Sequence, residues 1–158
     1  MSPHQRLIVS GLLVGLSLAI AAPRASSGAT SLDLAVVVNP GVAVVRLSAS
    51  ELESIFNSTR RNWPDGSNVS VFSYPPETEL RQTFDSAVLR MSPEEVARFW
   101  LDQRIRGGAR PPRQVPDPAL AVRLAAKLPG SIAYVPENLV SPSVKVVARI
   151  KSGKVVGP

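Results

Sequence analysis

Side chains suited to nucleophilic or metal chemistry are scarce in this 158-residue chain, which has one histidine, His4, and no cysteine. Without cysteine there is no disulfide, thiolate nucleophile or zinc–thiolate site, and a single imidazole cannot build a multi-histidine metal centre. His4 stands just ahead of an apolar run, Leu7 to Ala22, that reads as a leader. The domain that follows therefore has no imidazole for a triad or for acid–base work. Carboxylate pairs remain at Glu51 and Glu53, Glu77 and Glu79, and Glu94 and Glu95. Glu51, Glu94 and Glu95 fall in the first turns of expected helices, where negative charge suits the dipole, so their reading is structural. No glycine-rich phosphate loop or paired-glycine dinucleotide fingerprint is present. The expectation is a protein that is not an enzyme, with no cofactor and no metal.

One segment could hold an anion, and a second is strongly basic. Thr78 is the expected cap of a helix, and its hydroxyl with the amides of Glu79, Leu80 and Arg81 could cradle a negatively charged group. The alternative is an ordinary cap serving its own helix, which the flanking Glu77 and Glu79 favour. The second segment, Arg104 to Arg113, is the densest basic stretch and reads as a solvated loop. The formal charge is +6 and aromatics are 5% of residues. Removing the leader takes Arg6 and Arg24 with it, leaving a mildly basic domain with few stacking platforms and no expected nucleic-acid partner.

The elements that must position these residues are legible from caps and periodicity. Residues 1–29 read as a signal peptide, with small-x-small sites at Ala19-Ile20-Ala21 and Ser27-Gly28-Ala29 and cleavage between 21 and 29. The apolar run is shorter than the roughly 20 residues that span a bilayer, so no membrane span is expected after cleavage. The expected location is periplasmic or secreted. Residues 30–150 read as one α/β domain and 151–158 as a frayed tail. Leu32 to Val38 is a buried strand by composition, and Val69 to Ser73, Ser131 to Val135 and Val144 to Ile150 are three more. Ser48 with Glu51 and Ser92 with Glu95 are capping boxes, the first with a Leu47–Leu52 staple. Thr78 opens a further helix and Asp117-Pro118 another. Leu80, Phe84, Ala87 and Val88 form one expected core face, Val96, Phe99 and Trp100 a second, and Leu120, Leu124 and Leu128 a third. Trp100 is expected to be buried against the sheet, and Trp63, at the head of the Trp63-Pro64-Asp65-Gly66 turn, only partly. The order predicts a central mixed sheet flanked by helices.

The ordered set of motifs also resembles a known family. Glu51-Leu52-x-x-Ile55-Phe56, Trp63-x-Asp65-Gly66, Thr78-x-x-Arg81-x-x-Phe84, Phe99-Trp100, Gly107-x-x-x-Pro111-Pro112 and Pro129-Gly130-Ser131-Ile132-Ala133-Tyr134-Val135 resemble, in that order, the periplasmic phosphate-binding proteins of phosphate ABC transporters. The resemblance covers roughly Leu32 to Pro136 and implies the type II periplasmic-binding-protein superfamily. A full member is about twice as long and closes two lobes around its anion, so a single lobe of that fold is implied. The family's Arg-x-Asp-x-Ser-Gly-Thr phosphate stretch falls on Tyr74 to Leu80 of this chain. Its Arg is replaced by Tyr74, its Asp by Pro76, its Gly by Glu79 and its first Thr by Leu80, and only a hydroxyl survives, at Thr78. The ligand-binding residues so implied are Thr78, Tyr74 and, one turn on, Arg81 as a replacement cation. The resemblance implies an exported substrate-binding-like protein with a degenerate phosphate site. Its partners would be inorganic phosphate or another small anion, and a membrane transporter or periplasmic protein. The alternative is a protein-interaction or sensory module that kept the scaffold without the ligand.

Overall fold

The spine of the sheet is β1 (Leu34–Val38), all five of whose side chains are buried, as a continuous apolar run requires when both faces of a strand are covered. The computed structural model describes residues 32–158, so the expected leader and its cleavage site lie outside the described residues. β1 lies between β4 (Ser131–Pro136) and β5 (Lys145–Lys151), antiparallel to both, with Val36 opposite Tyr134 on one side and Ala148 on the other. Beyond β4, β2 (Ser70–Ser73) and then β3 (Arg113–Gln114) run parallel, while β6 (Lys154–Val156) closes the other edge antiparallel to β5. The order is β3-β2-β4-β1-β5-β6, a mixed sheet flanked by helices, as the element order predicts.

Both edge strands depart from expectation. β3 begins at the last residue of the Arg104–Arg113 stretch read as a solvated loop, and just beyond it Val115 N–H donates to Ser73 O at 2.9 Å. The tail does not fray, because Ser152 and Gly153 both take positive φ, 49° and 71°, and turn the chain back on β5. That is the geometry of a tight two-residue hairpin, and the Ser-Gly pair was its sequence signal.

The helices begin where their caps predict. α1 (Ala49–Phe56) and α3 (Pro93–Ile105) each carry a complete capping box, from Ser48 with Glu51 and Ser92 with Glu95. α4 (Pro118–Lys127) is capped by Asp117, whose carboxylate accepts from Leu120 N–H at 2.8 Å. α2 (Glu79–Phe84) is capped by Thr78 and runs into a wide π turn, Asp85–Leu89, stopped by Arg90 in the left-handed region. A bulge where β1 meets β5 leaves Val147 outside the register, and its carbonyl accepts from Leu47 N–H at 2.9 Å. The bulge thus fixes the approach of α1, whose staple residues Leu47 and Leu52 are both buried.

Three side-chain expectations are corrected. α4 buries Ala121 and Ala125, while Leu120 and Leu124 are half-buried and Leu128 is 37% exposed. Small residues let this helix lie close on β4 and β1, and the leucines flank the contact. Trp63, expected to be half-exposed, is only 3% exposed, because its indole Nε1 donates to Gly130 O at 2.9 Å. Trp100 is the half-buried one, packed edge-on to Phe99 at 4.9 Å. Gly130 must be glycine: its φ is +72° and a Cβ there would stand 2.3 Å from Asn68 O. Among the described residues no helix is long and apolar enough to cross a membrane.

Candidate binding site

The three candidate residues share one corner, where β2 ends and the chain enters α2 through Pro75 and Pro76. Tyr74 is buried, and its hydroxyl donates to Tyr134 O at 2.7 Å, so burial holds its phenol above the ordinary value. Thr78 Oγ1 accepts from Arg81 N–H at 3.3 Å and donates to Pro75 O at 2.8 Å. The proton and one of the two lone pairs of that hydroxyl therefore serve the chain itself.

Arg81 is 5% exposed. Its Nε donates to Asp85 Oδ2 at 2.5 Å, and its Nη1 donates to Ser73 Oγ at 2.9 Å and to Tyr74 O at 3.3 Å. Ser73 Oγ is also 2.8 Å from the Tyr134 hydroxyl. The network is thus continuous from Asp85 to the centre of the sheet. Tyr134 stacks on Phe84 with centroids 3.9 Å apart and meets Tyr74 edge-on at 5.1 Å. Burial pushes the Asp85 carboxyl above its ordinary range, and the Arg81 guanidinium pulls the other way. The structure brings Tyr74, Thr78 and Arg81 together, but as parts of a fixed corner whose polar atoms face inward.

Asp85 and Ser73 were not among the expected site residues. The signal for Asp85 was available, since an acid four residues after an arginine on one helix face is a natural ion-pair spacing. That the pair would be buried followed from nothing local. A cavity of about 180 Å³ opens beside it, lined by Arg81 and Asp85 with Pro93, Val96, Ala97 and Trp100 among its walls. Trp100 lines it too, and its Nε1 is buried with no hydrogen-bond partner among the described residues. The basic loop is exposed as expected, and Arg106 pairs with Asp102 at 2.8 Å. Among the described residues no group of three His, Cys, Asp or Glu side chains could hold a metal ion.

No protein-family model matches the chain, and no curated protein does. Solved structures do. An ABC-type phosphate transport receptor from Vibrio cholerae is similar with a TM-score of 0.59 and 20% identity, over 75% of this chain and 47% of that one. A putative phosphate ABC transporter substrate-binding protein with bound phosphate, from Clostridium perfringens, is similar with a TM-score of 0.59 and 17% identity, over 72% and 43%. PstS from Borrelia burgdorferi gives 0.57 and 14%, over 72% and 46%. The fold is that of these phosphate-transporter binding proteins, in a one-lobe form.

The chain spans less than half the length of each of those structures. On this PstS-like scaffold the sheet, α1 and the Pro129-Gly130-Ser131 strand entry are kept close to expectation. The Pro-Gly-Ser entry is held by Trp63 and by Ser70 N–H, both donating to Gly130 O. The corner from Tyr74 to Asp85 is where the side chains have been committed to one another.

Proposed function

We propose that this chain is an exported, non-enzymatic substrate-binding-like module that retains a PstS-like scaffold and has a degenerate phosphate site. The observation that carries this reading is the state of Arg81. The cation best placed to replace the family's arginine is already neutralised by Asp85 at 2.5 Å and buried with it. Thr78 spends its hydroxyl on Pro75 O, α2 has only six residues, and Glu77 and Glu79 add negative charge beside the cap. A phosphate dianion would have to break this corner or bind outside it.

Hydrogen bonds to charged groups contribute roughly 1.5–3 kcal/mol each. Losing several moves affinity from micromolar towards millimolar, a difference of about 4 kcal/mol. Calorimetric titration of the chain with inorganic phosphate should therefore show no binding tighter than millimolar. Micromolar affinity would overturn the lost-site reading and restore phosphate as the ligand. The proposed location is periplasmic or secreted, with a membrane transporter or a periplasmic protein as the partner. N-terminal sequencing of exported protein should begin between Ala22 and Thr30, and a start at Met1 would remove the export part of the proposal.

A further inference from the structure

Charge is unevenly spread over the fold. Of the chain's 18 Lys and Arg residues all but Arg6 and Arg24 lie among the described residues, against all 12 Asp and Glu. Arg104, Arg106, Arg110 and Arg113 account for the whole surplus: the stretch they span contains no acid, and outside it cations and anions are equal in number. We propose that this stretch, with the last turns of α3, is a docking surface for an anionic lipid bilayer. The proposal goes beyond the binding-module reading and stands whether or not phosphate binds.

α3 has 13 residues, and Val96, near its start, is its one fully buried side chain. Its last turn is largely in solvent. Leu101 and Ile105, one turn apart and so on one face, are 56% and 76% exposed. Arg104 and Arg106 flank Ile105 in the chain and are exposed as well. Just past the helix, Arg104 and Arg110 line one concavity of about 630 Å³ around Gly107 and Gly108. Ser58 Oγ donates to Arg110 O at 3.4 Å, which ties in the loop after α1, and Arg61 of that loop lines a neighbouring concavity with Arg110. Among the described residues neither Arg104 nor Arg110 forms an ion pair. Arg106 pairs only with Asp102, in an exposed contact that water screens.

The combination of side chains selects the partner. Arginines alone would serve any polyanion, but a hydrophilic acidic polymer gains little from a leucine and an isoleucine held in water beside them. A bilayer surface uses both. Its anionic headgroups meet the guanidinium groups, while Leu101 and Ile105 enter the acyl boundary with the arginine stems lying along the same apolar surface. A second copy of this chain would bring the same positive stretch and be repelled. The acids of the first turn of α3, Glu94 and Glu95, stand at the other end of the helix. At 1.5 Å per residue they are about 15 Å from Ile105, beyond the ~8 Å over which physiological salt lets exposed charges act.

Vesicle sedimentation tests this directly. The chain from Thr30 onward keeps every described element and lacks the apolar run Leu7 to Ala22, which would enter vesicles by itself. It should bind vesicles of equal parts phosphatidylglycerol and phosphatidylcholine at least about tenfold more tightly than vesicles of phosphatidylcholine alone, and high salt should remove the difference. Arg104→Gln with Arg110→Gln should weaken binding roughly 30-fold, at about fivefold per charge. Leu101→Ser with Ile105→Ser should weaken it about tenfold. Arg46→Gln with Lys154→Gln removes the same charge beside β6, at the sheet edge opposite β3, and should change binding less than about twofold. All six side chains are exposed, so the melting midpoints should hold. Equal binding to both vesicles, or an equal loss in the Arg46 and Lys154 pair, would overturn the proposal. Indifference to the Leu101 and Ile105 changes, or polyglutamate bound as tightly as the vesicles, would overturn it in favour of a soluble acidic partner. In the full chain the Arg104 and Arg110 changes should abolish the salt-sensitive part of binding, and its persistence would overturn the proposal too. Micromolar phosphate affinity with vesicle binding intact would refute the lost-site reading alone.

Discussion

The two ends of β4 are stabilised in different ways. At its start, Gly130 and Ser131 are locked by neutral hydrogen bonds under an apolar lid: Trp63 Nε1 and Ser70 N–H donate to Gly130 O, and Ser131 Oγ donates to Leu128 O at 2.6 Å. Further along, Tyr134 is tied through Ser73 to a buried ion pair, Arg81 with Asp85. The first arrangement needs only packing and satisfied dipoles. The second takes two charged side chains out of water, and deleting either one leaves its partner buried and uncompensated. It lies where β2 leads into α2, so one strand is held by neutral contacts at its start and, further along, by buried charge.

Breaking the charged end should have the largest effect. Asp85→Ala leaves a guanidinium that is only 6% exposed without its partner, and should cost about 3–5 kcal/mol in urea unfolding. The paired change Arg81→Met with Asp85→Leu should recover most of that loss, because replacing both members of a buried pair removes the charge problem altogether. If the single and paired variants lose equal stability, the corner is held by something other than the ion pair.

Breaking the neutral end comes next. Trp63→Ala removes a 97% buried indole and its bond to Gly130, and should cost about 3–5 kcal/mol. Trp100→Ala, at a half-buried position, should cost about 1–2 kcal/mol. Denaturation midpoints that reverse this ranking would contradict the placement of the two rings.

Smaller effects sharpen the contrast. Ser48→Ala removes the α1 capping box and should cost about 1 kcal/mol, by the same unfolding measurement. The smallest is a difference in pH dependence. Glu51 is held below its ordinary value mainly by the Ser48 backbone N–H, so its contribution is present above pH 4.5 and is lost as pH falls through the lowered folded value. Asp85 is raised by burial, so the native state keeps its proton longer than the unfolded chain does. Its contribution is greatest below pH 3.8 and declines as pH rises through the raised folded value. Melting midpoints from pH 3 upward should therefore lose part of their acid-side fall in Glu51→Gln, and should gain a steeper one in Asp85→Asn.

Local signals in the sequence determined the element starts and the sheet's centre. Ser48, Thr78, Ser92 and Asp117 each cap the helix they precede, because capping is a contact between a side chain and the next three amides and needs no distant partner. Leu34–Val38 is apolar enough to be a central strand in any arrangement, and the Pro-Gly-Ser entry to β4 is equally local. Only the tertiary structure decided which equally apolar or charged residues would be enclosed. Trp63 is buried because a carbonyl 67 positions away accepts its N–H, and Ala121 and Ala125 face the core because α4 lies close to the sheet. Arg81 became part of the interior for the same reason: β2, the π turn and β4 converge on it, and no spacing within the helix sets where those three elements meet.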